Sequence, residues 1–155
     1  MTQAAPSIPH VVGVFDPATH TVSYVVSDPA TGAAAIIDPV LDFDPAAART
    51  STGSVDRLLA MIVERGLTLE RVLETHAHAD HLTGADEIRV RTGVPIGIGE
   101  RIRQVQKTFG DLFEATDVIP DASVFDQTFA DGDRFRLGDL ADRDRGLGAH
   151  HGNLG

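Results

Sequence analysis

The segment from His76 to His81 holds three histidines and one aspartate in six positions, and a single threonine separates it from the short apolar run Arg71 to Glu74. A cluster this polar serves no hydrophobic core, so we expect it to form a turn at the end of a strand. Imidazole nitrogen and carboxylate oxygen are ligands that zinc, iron and manganese accept. The cluster therefore predicts a metal-binding loop, and a solvated polar turn is the alternative.

Three β-rich runs near the N-terminus predict an antiparallel meander. Residues 11–15 and 21–27 are separated by the turn-forming sequence Asp16-Pro17-Ala18-Thr19, and residues 33–37 follow a second turn. Asp38-Pro39 is expected to end the third strand, because proline cannot donate a hydrogen bond to a sheet. A polar, proline-bearing connection is predicted for residues 39–51.

The middle of the chain alternates between helical and strand patterns. Apolar residues at i, i+3, i+4, i+7 and i+8 predict an amphipathic helix that ends at Gly66; they are Val55, Leu58, Leu59, Ile62 and Val63. Residues 71–74 are expected to form a strand, residues 82–90 a second helix and residues 95–98 a further strand. This order of elements predicts an α/β fold.

The last third of the chain is less regular. Residues 100–116 have roughly helical apolar spacing, which predicts a helix there. The Asp131-Gly132-Asp133 sequence predicts a hairpin turn that joins two short paired strands. Residues 141–155 lack apolar periodicity, so we expect a partial domain over residues 1–140 and a disordered or aberrant tail over residues 141–155.

Composition narrows the possible partners. The chain has 23 acidic and 13 basic residues, a formal net charge of −10, and no basic stripe, which argues against nucleic acid and anionic membrane as partners. It has no apolar stretch of membrane-spanning length and no secretory signal pattern, so we expect a cytoplasmic protein. Because cysteine is absent, the metal ligands and catalytic groups must be histidine or carboxylate. The sequence leaves an oligomer open.

Four residues of the cluster are the candidate ligands. His76 and His78 are two residues apart and point the same way on an extended backbone, while Asp80 and His81 lie on the turn into the next helix. We predict that all four bind one or two metal ions, and Asp80 is also the candidate catalytic residue. Asp38 is expected to orient a ligand imidazole, or alternatively to cap the turn before Pro39.

The run Thr75-His76-Ala77-His78-Ala79-Asp80-His81 resembles the HxHxDH signature of the metallo-β-lactamase superfamily, which includes glyoxalase II hydrolases and persulfide dioxygenases. Flanking segments, among them residues 15–19, 36–42 and 74–75, are similar to the persulfide dioxygenase branch and its bacterial β-lactamase-hydrolase-like members. The resemblance covers about residues 10–140. It implies an αββα sandwich, of which this chain would hold the N-terminal half with the first sheet and its flanking helices.

The resemblance also implies two ligand patterns. In the hydrolase pattern, His76 and His78 hold one zinc, and Asp80 and His81 hold a second. In the dioxygenase pattern, a single iron(II) binds His76 with a later histidine and a later aspartate, and the other three loop residues support it. The implied substrate is a small thiol-derived compound, either a glutathione persulfide that dioxygen oxidises to sulfite and glutathione, or a glutathione thioester.

The superfamily pattern continues with a His-Thr-Pro-Gly-His segment, a Gly-Asp-Thr segment and a later histidine, none of which occurs in this sequence. Our hypothesis is that a frameshift or premature end follows Leu140, and an intact reading frame on resequencing would contradict it. The inner face of the first sheet would then be exposed. A non-catalytic fragment that retains the metal motif is the alternative to an enzyme.

Overall fold

The structure is a computed structural model that describes residues 8–114 and 119–141. Its helices within these residues are α1 (Gly53–Glu64), α2 (Ala85–Thr92) and α3 (Ile102–Phe113). Its strands there are β1 (His10–Asp16), β2 (Thr21–Ser27), β3 (Ala33–Ile37), β4 (Val40–Asp44), β5 (Arg49–Ser51), β6 (Thr68–Glu74), β7 (Leu82–Thr83), β8 (Ile96–Gly99), β9 (Gln127–Phe129), β10 (Arg136–Leu137) and β11 (Leu140–Ala141). Among the described helices, none combines the length and the apolar character that a bilayer crossing requires.

Six strands form the main sheet, in the order β1-β2-β3-β6-β8-β9. The strands β1, β2 and β3 pair antiparallel, which confirms the predicted meander, and β3, β6, β8 and β9 run parallel. The first hairpin closes at the predicted turn, where the Asp16 carboxylate accepts hydrogen bonds from the backbone N–H and the hydroxyl of Thr19. The parallel pairing brings the carboxyl ends of β3 and β6 to the same edge of the sheet.

The helices α1 and α2 cover one face of the main sheet. Their buried side chains share a core with Val25, Ala34, Ile36, Val72 and Ile96 of the strands. The predicted amphipathic helix is confirmed, and its buried stripe runs through Val55, Leu58 and Ile62. Val63 is exposed instead, because its position in the helical repeat lies on the flank of that stripe.

The predicted connection over residues 39–51 contains two strands. β4 pairs antiparallel with both β5 and β7, which gives a separate three-stranded sheet. The β4 sequence gives little strand signal, because it does not alternate between buried apolar and exposed polar residues. Only Val40 of this strand is buried. The predicted second helix also begins later than expected, at Ala85, because Leu82 and Thr83 pair with β4 as β7.

The predicted hairpin around Gly132 is wrong. β9 pairs in parallel with β8, and β10 pairs with β11. Gly97 of β8 leaves room for the Phe129 ring, because a Cβ at Gly97 would lie 2.6 Å from Phe129 Cε2. This packing outweighs the local preference of Asp-Gly for a tight hairpin. The predicted helix over residues 100–116 is confirmed for Ile102–Phe113 as α3, and residues 115 and 116 lie outside the described residues.

The second face of the main sheet is covered only in part. Leu137 of β10 packs there against Ala33, Ala35 and Leu73. Near the β1 edge, Val11 and Phe15 lie on the same face and are 52% and 56% exposed. The expected exposure of this face is therefore confirmed at the β1 edge and wrong at the centre. Of the predicted tail, only Ala141 falls within the described residues, where it belongs to β11.

Candidate metal centre

The histidine loop, defined here as residues 75–81, connects β6 with β7 at one edge of the main sheet. β3 and β6 are parallel neighbours, so the chain leaves both strands at this edge. Asp38, directly after β3, donates its backbone N–H to the carbonyl of Leu73 at 3.0 Å, which places it beside the start of the loop. Binding sites in parallel sheets commonly lie at this edge.

Asp38 holds the beginning of the loop. Its Oδ1 accepts the backbone N–H of Thr75 at 2.8 Å, and its Oδ2 accepts the Thr75 hydroxyl at 2.6 Å. Burial opposes the charged form of Asp38, but hydrogen bonds from His78 and Thr75 outweigh this effect and lower its pKa. Asp38 thus lies where an orienting carboxylate is expected, and that role stays a prediction.

Hydrogen bonding determines which nitrogen of His76 is free to bind a metal. The Thr75 hydroxyl has one hydrogen, which it donates to the Asp38 carboxylate. The same oxygen lies 2.8 Å from His76 Nδ1, so it must accept a hydrogen from that nitrogen. His76 is therefore protonated on Nδ1, and the lone pair of Nε2 is available.

His78 is held in the opposite orientation. Its Nε2 lies 2.8 Å from Glu74 Oε2 and 3.1 Å from Asp38 Oδ1. Both carboxylates can only accept, so Nε2 carries a hydrogen that the two share. Nδ1 is therefore the nitrogen that can bind a cation. Burial disfavours the imidazolium form, but the hydrogen bonds and charges of Asp38 and Glu74 outweigh burial and raise the pKa of His78 to about 9. A cation at Nδ1 would compete with the second proton.

Glu74 was not singled out as a site residue from the sequence, where it marked the end of a strand and belonged to a segment that carries the family resemblance. Its side chain is 2% exposed, although carboxylates are rarely fully buried unless they are paired. Oε2 faces His78, and Oε1 accepts a hydrogen bond from the Thr83 hydroxyl. The sequence did contain a signal for this role, because Glu74 ends an apolar strand directly before the histidine cluster.

The His81 imidazole is buried, with 2% of its side chain exposed, and neither ring nitrogen has a hydrogen-bond partner among the described residues. An Asp80 carboxylate oxygen lies 3.3 Å from His81 Nδ1 without hydrogen-bond geometry. Leaving a buried polar atom unpaired costs about 1–3 kcal/mol, which a ligand at the ring would relieve, and the ligand role of His81 stays a prediction. The exposed Asp80 carboxylate has a lowered pKa, because its own backbone N–H and the nearby histidines outweigh its slight desolvation.

These side chains form two overlapping groups, in each of which the candidate ligand atoms lie within 4.8 Å of one another. The first is Asp38, His76 and His78, and the second is His78, Asp80 and His81. The His78 ring centroid lies 4.3 Å from those of both other loop histidines. The four predicted ligands are thus brought together, and their free nitrogens fit a metal ion with nitrogen and oxygen ligands.

A cleft of about 640 Å³ opens beside the histidine loop. Its walls come from the turn between β1 and β2, from β4 and from residues 78–82. Val40, Leu41 and Leu82 contribute apolar surface, and all three members of the second ligand group also line the cleft. This volume is in the range of small-molecule sites.

Comparison with known families identifies the origin of this arrangement. The sequence matches the metallo-beta-lactamase superfamily over residues 16–153. The chain belongs to this superfamily. The matched stretch of the metallo-beta-lactamase sequence includes Asp38 and the whole histidine loop, and it continues past Leu140. The resemblance inferred from the sequence and the α/β fold class are both confirmed.

Relatives of this superfamily member carry different names. A beta-lactamase hydrolase-like protein of Agrobacterium fabrum is 44% identical over 137 residues, which cover 88% of this chain and 32% of the relative. The mitochondrial persulfide dioxygenase of Homo sapiens is 36% identical over 76 residues, which cover 49% of this chain and 26% of the relative. The crystal structure of ETHE1 from Myxococcus xanthus superposes with a TM-score of 0.61 at 31% identity, over 85% of this chain and 45% of that chain. The chain thus spans less than half the length of each of these proteins.

Proposed function

We propose that this chain carries the metal-binding part of an iron(II)-dependent glutathione persulfide dioxygenase. The observation that carries the proposal is the unequal state of the first two loop histidines. His76 is exposed and offers Nε2, whereas His78 is held by two carboxylates, as expected where His76 binds the metal and His78 supports it. The similarity to a persulfide dioxygenase supports the same reaction.

In this proposal the chain's own residues hold the metal and accept a proton. His76 binds through Nε2, and Thr75 and Asp38 fix its ring through their hydrogen bonds. Bound iron(II) would supply open coordination positions for dioxygen and the persulfide sulfur. Asp80 lines the cleft, and its exposed carboxylate is ionised at neutral pH as an ordinary aspartate is, so it is placed to accept the persulfide proton. One persulfide, one dioxygen and one water yield glutathione, sulfite and two protons.

Hydrolysis of a glutathione thioester is the second candidate. It is favoured by the group of His78, Asp80 and His81, because the buried His81 ring nitrogens have no partner among the described residues and one of them would be available to a second metal ion. Two zinc ions would supply a hydroxide nucleophile at neutral pH. The choice of metal, the substrate, an oligomeric state and a cytoplasmic location all stay predictions.

Two assays on the purified 155-residue chain separate the candidates. Iron in the protein together with oxygen consumption on glutathione persulfide supports the dioxygenase. Zinc together with glutathione release from an acyl-glutathione thioester supports the hydrolase. A folded chain that binds no metal and shows neither activity is the non-catalytic fragment, which contradicts both proposals.

His76→Ala tests the metal centre itself. We expect metal affinity to fall by about tenfold or more, because the variant loses a ligand nitrogen that its neighbours do not replace. His10→Ala is the matched control, since His10 is an exposed histidine at the start of β1, outside both ligand groups. Metal content is measured by mass spectrometry after dialysis, and unchanged content in His76→Ala would exclude this assignment.

A further inference from the structure

Glu74 connects the two ends of the histidine loop. As the last residue of β6 it precedes the loop directly, and its Oε1 accepts the hydroxyl of Thr83, which lies in β7 just after the loop. Thr83 is itself fixed, because it pairs with Val40 of β4 and its hydroxyl accepts the backbone N–H of Ala85 at 3.1 Å. The buried Glu74 carboxylate is therefore bonded both to Thr83, just after the loop, and to His78, in the middle of the loop.

Glu74 is also the closer of the two carboxylates on His78. Its Oε2 lies 2.8 Å from His78 Nε2, against 3.1 Å for Asp38 Oδ1, which in addition accepts the backbone N–H of Thr75. The Glu74 side chain is 2% exposed, against 14% for Asp38. Glu74 is therefore the nearer and more deeply buried of the two carboxylates that hold the His78 ring, and a charge-assisted hydrogen bond is stronger where water is excluded.

We propose that Glu74 is a positioning residue of the metal centre, which accepts the Nε2 hydrogen of His78 and so directs Nδ1 toward the metal. The inference rests on the proposed metal-dependent function but not on the choice between its two forms. In the hydrolase pattern the directed nitrogen is a ligand, and in the dioxygenase pattern it supports the iron site. A carboxylate behind a histidine fixes the ring and increases its basicity.

The variant Glu74→Gln tests the inference with little change in side-chain volume. The amide replaces one of the two carboxylate oxygens by an NH2 donor, so it cannot accept hydrogen bonds at both positions, from His78 and from Thr83, as the carboxylate does. Glu70→Gln is the matched control, because Glu70 lies on the same strand with an exposed side chain. Circular dichroism establishes that both variants are folded.

The first readout is the His78 ring in nitrogen-correlated NMR spectra of the chelator-treated chain. We expect a slowly exchanging Nε2–H signal in the wild type and in Glu70→Gln, and exchange at least about tenfold faster in Glu74→Gln, because its hydrogen bond is weakened. This readout requires no metal. An unchanged His78 signal in Glu74→Gln would overturn the inference even where the metal-dependent function holds.

The second readout is the affinity for Co²⁺, measured by competition with a chromophoric chelator. Where His78 is a ligand, as in the hydrolase pattern, Glu74→Gln is expected to bind Co²⁺ about 10–100-fold more weakly than the wild type, the usual range for a lost carboxylate behind a ligand histidine. Equal affinity in Glu74→Gln and the wild type together with an unchanged His78 signal contradicts the inference. A wild-type chain that binds no Co²⁺ contradicts the proposed function instead, and the NMR result then decides the role of Glu74.

Thr83 provides a second test that leaves the glutamate in place, in case Glu74→Gln does not fold. Thr83→Val removes the hydroxyl that holds Oε1, whereas Thr83→Ser retains it. We expect faster exchange of the His78 ring hydrogen in Thr83→Val and wild-type exchange in Thr83→Ser. If Thr83→Val lowers only the free energy of unfolding and leaves the His78 signal unchanged, the orientation of the Glu74 carboxylate does not control the His78 ring.

Discussion

Thr75 shows how a single hydroxyl orders the first histidine of the loop. Its hydroxyl donates to Asp38 and accepts from His76, so a carboxylate 37 residues from Thr75 in sequence determines which nitrogen of His76 carries the hydrogen. The direction of both hydrogen bonds follows from the chemistry of the groups, because a carboxylate can only accept. Whether Nε2 of His76 is available therefore depends on its neighbours Thr75 and Asp38.

Thr75→Val is expected to weaken metal binding by about tenfold, because His76 loses the acceptor that fixes its Nδ1 hydrogen and its ring orientation. Thr75→Ser keeps the hydroxyl and should bind like the wild type. Affinity for Zn²⁺ is measured by competition with a chromophoric chelator. Equal affinities for the valine and serine variants would mean that the hydroxyl does not control His76.

The candidate ligand residues could be proposed from sequence, whereas their available atoms could not. Density of histidine and aspartate within six positions predicts a metal loop without any tertiary information. The free nitrogens depend on Asp38, which reaches His78 across 40 residues of sequence, and on the burial of Glu74. Such contacts follow from the parallel pairing of β3 with β6, which local patterns do not specify.

At the scale of elements, the junction of β7 and α2 fixes the far end of the histidine loop. Gly84 lies between the two elements and donates its backbone N–H to the carbonyl of Pro39 at 2.8 Å. A Cβ at Gly84 would lie 2.7 Å from Val55 Cγ2 and 2.9 Å from the carbonyl oxygen of Val40. The absence of a side chain therefore lets α2 start directly against β4 and α1.

Gly84→Ala is expected to lower the free energy of unfolding by about 1–3 kcal/mol, because the added methyl group overpacks a tight contact. Gly99→Ala is the control, since a Cβ there would meet no atom within 4 Å. It should change stability by no more than about 0.5 kcal/mol. Urea unfolding followed by circular dichroism measures both. A wild-type stability for Gly84→Ala would show that the junction can relax.

Elements with strong local patterns were predictable, and those built on remote pairing were not. The repeat of Val55, Leu58 and Ile62 specifies α1, and the turn at Asp16 specifies the first hairpin. β4 has one buried residue, and β7 is two residues long, so neither has a periodic signal of its own. Each exists because it pairs with the other, which places the cleft wall beside the histidine loop.

At the scale of the whole molecule, one region of the main sheet lacks a covering layer among the described residues. The β10–β11 hairpin packs over the centre, where Gly138 lies close to Asp28 and Thr31, but it does not reach the β1 edge. Val11 and Phe15 are exposed there on the face that Ala35 and Leu73 share farther along the sheet. Contiguous apolar surface of this kind promotes association between molecules.

The double variant Val11→Thr with Phe15→Thr tests this property of the 155-residue chain. Threonine keeps a β-branched side chain suited to a strand while removing apolar area, so the fold should persist. We expect at least about a twofold decrease in fluorescence of a bound hydrophobic dye and less self-association in light scattering, because the apolar patch is reduced. Val90→Thr is the control, since Val90 is an exposed valine on α2, away from this sheet face. If the control lowers dye binding as much as the double variant, exposed apolar residues in general, and not the β1 edge of the sheet, account for the association.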